Sequence, residues 1–402
     1  MGELPVEIMY DILSRMPVKS LDRFRCVCKD WCKYIDEPNF AIIQMNRAVE
    51  EPIPIMLKMH PDRGTNILTL FRIIQSKQGD EAKKDSVLEF ECKEPFYDYN
   101  GLTIEGSCNG LLYLSTYSMN DTPRTFLSVI HPLRNERYEL PPTMLIQSCG
   151  LGFDASTNTF KMCVSLLENW KIVHTMVHVL GTDSWREVTQ IPYYLMKGKG
   201  IFAHACLHWL GIHKPLSPNQ RIRVISFDIR KEEFRLIDPP RKTGDHWVER
   251  ELVDLHGKVG LVYISTHSFS IIELWVLKEN DQWVVQCQFD AKPLLLPHSH
   301  GLIDIVGLWN NFGDILVTID GGKRLFVYSL KTGGFLHVNL VGGENAWEYI
   351  HMYRSSLFSV QGMKKSTFLC SYPTDLNFGS SIKGRRKIRI PSKLIYRFLN
   401  FC

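Results

Sequence analysis

Residues 224–237 read VISFDIRKEEFRLI: an apolar, β-branched run, a charged turn, then an aromatic residue opening a second short run. Two such runs joined by a tight polar connection predict a β-hairpin. The same layout recurs in SVIHPLRNERYEL (128–140), VHVLGTDSWREV (177–188), LWVLKENDQWVV (274–285) and LFVYSLKTGGFLHV (325–338). The aromatic after each turn is Tyr138, Trp185, Phe234, Trp283 or Phe335, at separations of 47, 49, 49 and 52 residues. A strand-built repeat near fifty residues is the period of kelch-type β-propeller blades, in which each sheet buries its faces only by stacking on its neighbours.

Between these marks lies a second set of strand pairs: GSCNGLLYL, GLGFDASTNTFKMCV, GIFAHACLHWLGI, LVDLHGKVGLVYI, GLWNNFGDILVTI and YIHMYRSSLFSV. An inner pair plus an outer pair makes a four-stranded blade. Six inner pairs against five outer ones predict six blades, the sixth completed by strands from residues 53–91 such as IPIMLKM and SVLEFEC. Pairing the two ends of the ring in this way removes exposed sheet edges. A β-sandwich with turns at coincidentally even intervals also fits the spacing.

The first 48 residues follow another rhythm. Pro5, Ile8, Met9, Ile12, Leu13 and Met16 lie at helical spacing. Pro17 ends that helix, because the residue before a proline is pushed out of the α region. A second stripe runs Leu21, Phe24, Val27, Cys28, Trp31, Ile35 until Pro38, and a third short segment covers Phe40 to Ala48. Three short helices supply only a marginal core of their own, so their apolar face should rest on the rest of the chain or on another protein. The expected fold is therefore mainly β with a small all-α N-terminal domain: helices over 1–48, a propeller over 49–375 and a basic tail over 376–402.

Composition sets the class. The chain has 402 residues, 45% hydrophobic and 22% charged, as folded proteins do. No run of eighteen apolar residues predicts a membrane span, and the acidic start MGELPVEIMYD is unlike a secretory signal. The eleven cysteines are scattered rather than framed, which points to reduced thiols and an intracellular address in cytoplasm or nucleus. The net charge of +4 is concentrated: after Asp375 the tail carries +7 and no acid, leaving −3 for the rest. A body so balanced does not suggest nucleic-acid binding, and the tail KGRRKIRIPSKLIYR fits a nuclear address, an acidic-partner contact or a plain solvated tail.

Sites for catalysis and metals find little support. Cys26-x-Cys28-x3-Cys32 lacks a fourth ligand for zinc and reads as buried thiols. Gly150-Leu-Gly152 imitates a dinucleotide loop, yet FDASTNTFKM after it reads as a hairpin rather than a helix start. His298-Ser-His300 offers two ligands and no third, and His204, His208 and His213 fit core or rim packing. There is no G-x-S-x-G elbow and no P-loop, and no cysteine stands out as a nucleophile. No cofactor is expected.

The specific letters narrow the class. LPxEI, ILSRMPVKSL and RFRCVCKDW, over residues 4 to about 44, closely resemble the F-box of plant F-box proteins. GSCNGLLYL, HPLRNERYELPP, GLGFDASTNTFKM, ACLHWLG, ISFDIRKEEFRLI and IELWVLKE resemble, in that order, the F-box-associated propeller of the same proteins. Double glycines occur at Gly321-Gly322, Gly333-Gly334 and Gly342-Gly343 and not once per blade, so the resemblance is to the associated domain rather than to a regular kelch array. It implies a non-catalytic substrate receptor of an SCF (Skp–cullin–F-box) ubiquitin ligase. The front helices would hold a Skp-family adaptor and, through it, cullin and a RING subunit, while the propeller would hold a protein target. The adaptor-facing positions it implies are Leu4, Pro5, Ile8, Leu13, Val18, Leu21, Val27, Cys28 and Trp31. The alternative is a propeller that binds a small molecule or glycan, or is an enzyme, with the helices as a cap. For the target, the long stretches 116–124, 193–200, 239–250 and 292–301 are the candidate loops.

Overall fold

A computed structural model describes residues 5–37, 39–48, 50–60, 65–75, 81–92, 99–118, 124–168, 171–189, 194–213, 222–240, 247–265, 267, 270–295, 303–322, 324–339, 347–365 and 369–371. The compact body is Met1–Ser371. The tail lies outside the described residues, as do Leu4 and the His298–His300 pair.

Four helices open the chain, not three: α1 (Val6–Ser14), α2 (Val18–Phe24), α3 (Lys29–Ile35) and α4 (Phe40–Arg47). Pro5 is the N-cap of α1, and Pro17 separates α1 from α2 as expected. The second predicted stripe breaks because Cys28 is extended (φ −154°, ψ 167°), its sulfur accepting the Trp31 N–H at 3.4 Å. Cys26, Val27 and Cys28 are weak helix formers, so this local cap wins over continuation.

The remainder forms five sheets, where six blades were expected. The first holds Tyr99–Cys108, Leu111–Ser118, Arg124–His131 and Glu136–Glu139; the second Ile146–Asp154, Thr159–Glu168, Lys171–Val179 and Arg186–Val188. The third holds Tyr194–Ala203, Cys206–His213, Arg223–Asp228 and Phe234–Ile237; the fourth Trp247–Asp254, Val259–Ser265, Ile271–Leu277 and Trp283–Asp290. The fifth has nine strands, running Ile303–Leu308, Ile315–Ile319, Arg324–Tyr328, Phe335–Asn339, Glu81–Cys92, Thr65–Gln75, Ile53–His60 and Trp347–Tyr353, with Leu369–Ser371 beside Glu81–Cys92.

The N-terminal strands do meet the C-terminal one: Ile55 pairs with His351 and Pro54 with Met352, antiparallel. A separate sixth blade does not result, because Phe335–Asn339 pairs in parallel with Glu81–Cys92 (Val338 opposite Ala82) and fuses the two sets. Each strand thereby covers the other's open edge. YIHMYRSSLFSV is also no hairpin: only Trp347–Tyr353 is a strand, and Phe358 beyond it packs on Phe153 and Phe160. The innermost strands touch in a closed cycle, from Tyr99–Cys108 through the other sheets to Trp347–Tyr353 and back.

The repeated aromatics link neighbouring sheets. Trp185 Nε1 donates to Pro141 O at 2.8 Å and Trp283 Nε1 to Asp238 O at 2.9 Å, each reaching the end of the preceding sheet. Tyr138 Oη does the reverse, donating to Thr182 O at 3.0 Å and accepting from Gly181 N at 3.0 Å. The glycines of Gly150-Leu-Gly152 serve contact rather than phosphate: they lie on a strand, against Trp209 and Ile229 respectively.

Candidate functional site

Two places concentrate features that packing alone does not explain. The first is the outer face of the helices. Leu13, Val18 and Leu21 are buried, with Ile35, Phe40 and Ala41, in one core that runs on into Leu111, Tyr113, Phe153 and Phe358 of the sheets. They hold the helices to the body and present no surface. Pro5, Ile8, Val27 and Cys28 are exposed, and Trp31 is half-buried against Phe24 (centroids 5.3 Å, T-shaped). Val6, Ile8 and Val27 are 51%, 47% and 45% exposed, far more than side chains of that character need be. Cys26 and Cys28 are exposed rather than buried as expected, because the turn that carries them faces outward.

The face is held in place by Glu50. Pro17, as N-cap of α2, offers no side-chain acceptor, and the Val18 N–H is taken instead by Glu50 Oε1 at 2.6 Å. A carboxylate there also meets the positive end of the helix. Its other oxygen accepts from Ser355 Oγ at 3.4 Å, while Arg354 Nη2 donates to Ala48 O at 3.2 Å. Helices and sheets are thus joined by hydrogen bonds as well as by a shared core.

The second place is a cavity of about 410 Å³ where the innermost strands converge. Glu105, Lys199, Glu251, Asp254, Asp304 and His351 line it. Burial lowers the Lys199 pKa, against the carboxylates of Glu105 and Glu251. Burial, with the nearby Lys199 charge, pushes His351 down to about 3, so the imidazole is neutral; its Nε2 lies 2.9 Å from Ser107 Oγ. Burial lifts Asp254 to about 6, although the N–H groups of Gly257 (2.9 Å) and His256 pull the other way.

Asp254 therefore holds its proton in the folded chain over a range, roughly pH 4 to 6, in which the unfolded chain has released it. Stability falls as pH rises through that window and stays lower above it. Asp254→Asn, whose amide oxygen can still accept from Gly257, is expected to raise stability at pH 7 by on the order of 1–3 kcal/mol. The gain should vanish below pH 4. Melting temperature followed from pH 3.5 to 7.5 checks this; equal curves for both proteins would refute it.

Of the cavity residues, only Lys199 and Gly200, inside the candidate stretch 193–200, were among the sequence candidates. YYLMKGKG, read as a loop, is the start of the innermost strand Tyr194–Ala203, which carries Lys199 to the cavity. The available signal was positional: 105, 199, 251, 304 and 351 keep the repeat's own step or its double. Of the other loop candidates, 119–123, 241–246 and 296–301 lie outside the described residues. His208 is core, as expected: it is buried, pushed down to about 4, and within 3.4 Å of Ile201 O and Ser226 Oγ. Among the described residues no cluster of three or more His, Cys, Asp or Glu side chains is arranged to hold a metal.

Comparison with known proteins places these features. Residues 58–348 match the F-box associated beta propeller domain, and residues 1–42 match the F-box domain. The Arabidopsis thaliana F-box/kelch-repeat protein At3g23880 is 24% identical over 83% of this chain and 89% of its own length. The Arabidopsis thaliana F-box protein CPR1 is 25% identical over 70% of this chain and 72% of its own. Among solved structures, TolB from Acinetobacter baumannii superposes with a TM-score of 0.44 at 9% identity, covering 75% of this chain and 66% of TolB, too distant to carry an argument.

Proposed function

We propose that this chain, which belongs to the F-box proteins carrying an F-box-associated β-propeller domain, is a non-catalytic substrate receptor of an SCF-type ubiquitin ligase. The observation that carries the reading is the set of large apolar side chains that an F-box with its core already satisfied still leaves exposed. Leu13, Val18 and Leu21 complete the interior, yet Val6, Ile8 and Val27 remain outside. Docking on a Skp-family adaptor would bury such side chains, and the adaptor would bring cullin and the RING subunit. The conjugating enzyme supplies the reactive thioester in such an assembly, and the receptor supplies proximity. This role needs no nucleophile on the chain, and the scattered cysteines are in keeping with a cytoplasmic or nuclear address for it.

The test is a co-expression pull-down with a plant Skp-family adaptor, using wild type, Ile8→Asp and Val27→Asp. Both positions are exposed, so both variants should fold. Each is expected to weaken adaptor binding at least about tenfold. Leu13→Ala serves as contrast, since it should lower the melting temperature instead. A folded wild type that captures no adaptor would overturn the reading.

The axial cavity favours a second reading, a propeller that takes a small polar ligand. Its convergent Lys199, Glu105, Glu251 and Asp304 are the kind of set that orients such a molecule. A thermal-shift screen of sugars and small zwitterions with wild type and Lys199→Met would test it, and absence of any shift would remove it.

A further inference from the structure

The sheets treat their outermost strands in different ways. Glu136–Glu139 is charged and is covered by Lys364–Lys365. Arg186–Val188 has three residues, two of them charged. Phe234–Ile237 has four and runs into Asp238-Pro239-Pro240. Phe335–Asn339 is paired with Glu81–Cys92. Trp283–Asp290 is different: it has eight residues, no charge before Asp290 and no proline, and among the described residues nothing pairs with its outer edge. Val284 and Val285 on it are 47% and 44% exposed. A long, uncharged edge, interrupted only by a bulge at Gln286 opposite Leu274–Trp275, is a template for another strand, and proteins ordinarily block it more fully.

A second observation lies beside it. Phe312 is 86% exposed, the largest exposure of any large apolar side chain among the described residues. Its turn is fixed: Asn310 Oδ1 accepts from Phe312 N at 3.0 Å and Asp314 N at 3.1 Å, and Asp314 Oδ1 accepts from Leu330 N at 3.0 Å. A turn so tied holds an aromatic ring in water at little conformational cost on binding. Gln286, in the middle of the open strand, reaches this turn, its Nε2 being 3.8 Å from where a Cβ on Gly313 would stand.

We propose that the edge of Trp283–Asp290, with Phe312 beside it, is the docking surface for an extended segment of the target protein, which adds to the fourth sheet as a further strand. Main-chain hydrogen bonds to the edge supply affinity, and Val284, Val285 and Phe312 select the side chains. Charge fixes the chemistry of the occupant: the edge offers no ion partner between Asp281 and Asp290, so the segment is uncharged, with β-branched or aromatic residues at alternate positions. Area fixes its nature. A single strand of eight residues, about 27 Å long on an edge about 10 Å thick, offers roughly 270 Å², short of the ~800 Å² per partner of a stable dimer, but it suits one peptide. The identity of the occupant as a target rests on the receptor reading.

The experiment is selection of a displayed library of short random peptides on the full chain, followed by amide hydrogen exchange with the recovered peptides. Expected are uncharged, alternating sequences whose affinity drops at least tenfold with Val285→Lys and with Phe312→Ser. Exchange should slow at residues 283–290. Recovery of no peptide, or of peptides indifferent to both substitutions, overturns the proposal. Concentration-dependent self-association of wild type abolished by Val285→Lys overturns it in favour of a second copy. Both variants should still capture the adaptor. A chain that binds these peptides but no adaptor would leave the surface standing and remove the receptor reading.

Discussion

Trp209→Ala is expected to lower the unfolding free energy by ~3–5 kcal/mol, the usual range for deleting a fully buried large aromatic side chain. Trp209 has no exposure and joins three strands at the junction of the second and third sheets. Its Nε1 donates to Cys149 O at 3.3 Å. Its ring lies flush on two glycines, 2.9 Å from where a Cβ would stand on Gly150 and equally close at Gly200. The first sheet is tied to the same point, because Tyr113 Oη donates to Gly200 O at 2.9 Å.

Removing the indole would leave a cavity that neither glycine can fill and an unpaired carbonyl at Cys149. The complementary change, Gly200→Ala, should also destabilise, by about 1–3 kcal/mol. There the new methyl would meet Cys149 O and Gly150 Cα at 2.8 Å, and these are backbone atoms that cannot turn aside. Chemical denaturation of both variants at pH 7 measures the effects. A loss under about 1 kcal/mol for Trp209→Ala would mean that the junction collapses freely into the space the indole leaves.

The sequence made the hairpins legible because a hairpin is local. Phe234 and Trp283 follow charged turns of the expected length, and the strands they open begin at those residues. The fusion of two strand sets was not legible, since parallel pairing of Val338 with Ala82 joins residues far apart in the chain and has no turn to announce it. The helices show a different limit. An apolar stripe states that a face will be buried but not by what, so Leu13 and Ile8 looked alike; only packing separates the core residue from the exposed one. The helix break at Cys28 depended on one sulfur accepting one N–H. In the axial cavity, polar residues on β-strands were hidden by their spacing, a whole repeat apart rather than within one motif.

Lys161→Ala is expected to cost ~3–5 kcal/mol at neutral pH, more than a lost surface ion pair, because it strands two carboxylates in place. The Lys161 side chain is 10% exposed and bridges the second and third sheets. Its Nζ reaches Asp154 Oδ2 at 3.2 Å, Glu232 Oε1 at 3.0 Å and Ile229 O at 2.9 Å. Asp154 is 4% exposed on its side chain and Glu232 14%. Burial alone would raise the Asp154 carboxyl, but hydrogen bonds from Ser156 and Lys161 overcome this and bring it down to about 2. Glu232 is likewise lowered against the effect of burial, by Arg186 and Lys161. Lowered carboxyls stabilise the fold above their unfolded values, and that contribution disappears as pH falls through about 4 towards 2. In Lys161→Ala the carboxyls lose their main-chain-anchored cation, so their pKa values rise and less stability remains to be lost on acidification. Wild type and variant should therefore differ most near pH 7 and converge towards pH 2. Lys161→Met, which keeps the bulk but not the charge, should follow the alanine variant in its pH dependence and recover part of the packing loss. Denaturation midpoints between pH 2 and 7 distinguish the cases. A pH-independent difference between Lys161→Met and wild type would show that the ammonium acts there as filler rather than as the charge that holds two sheets together.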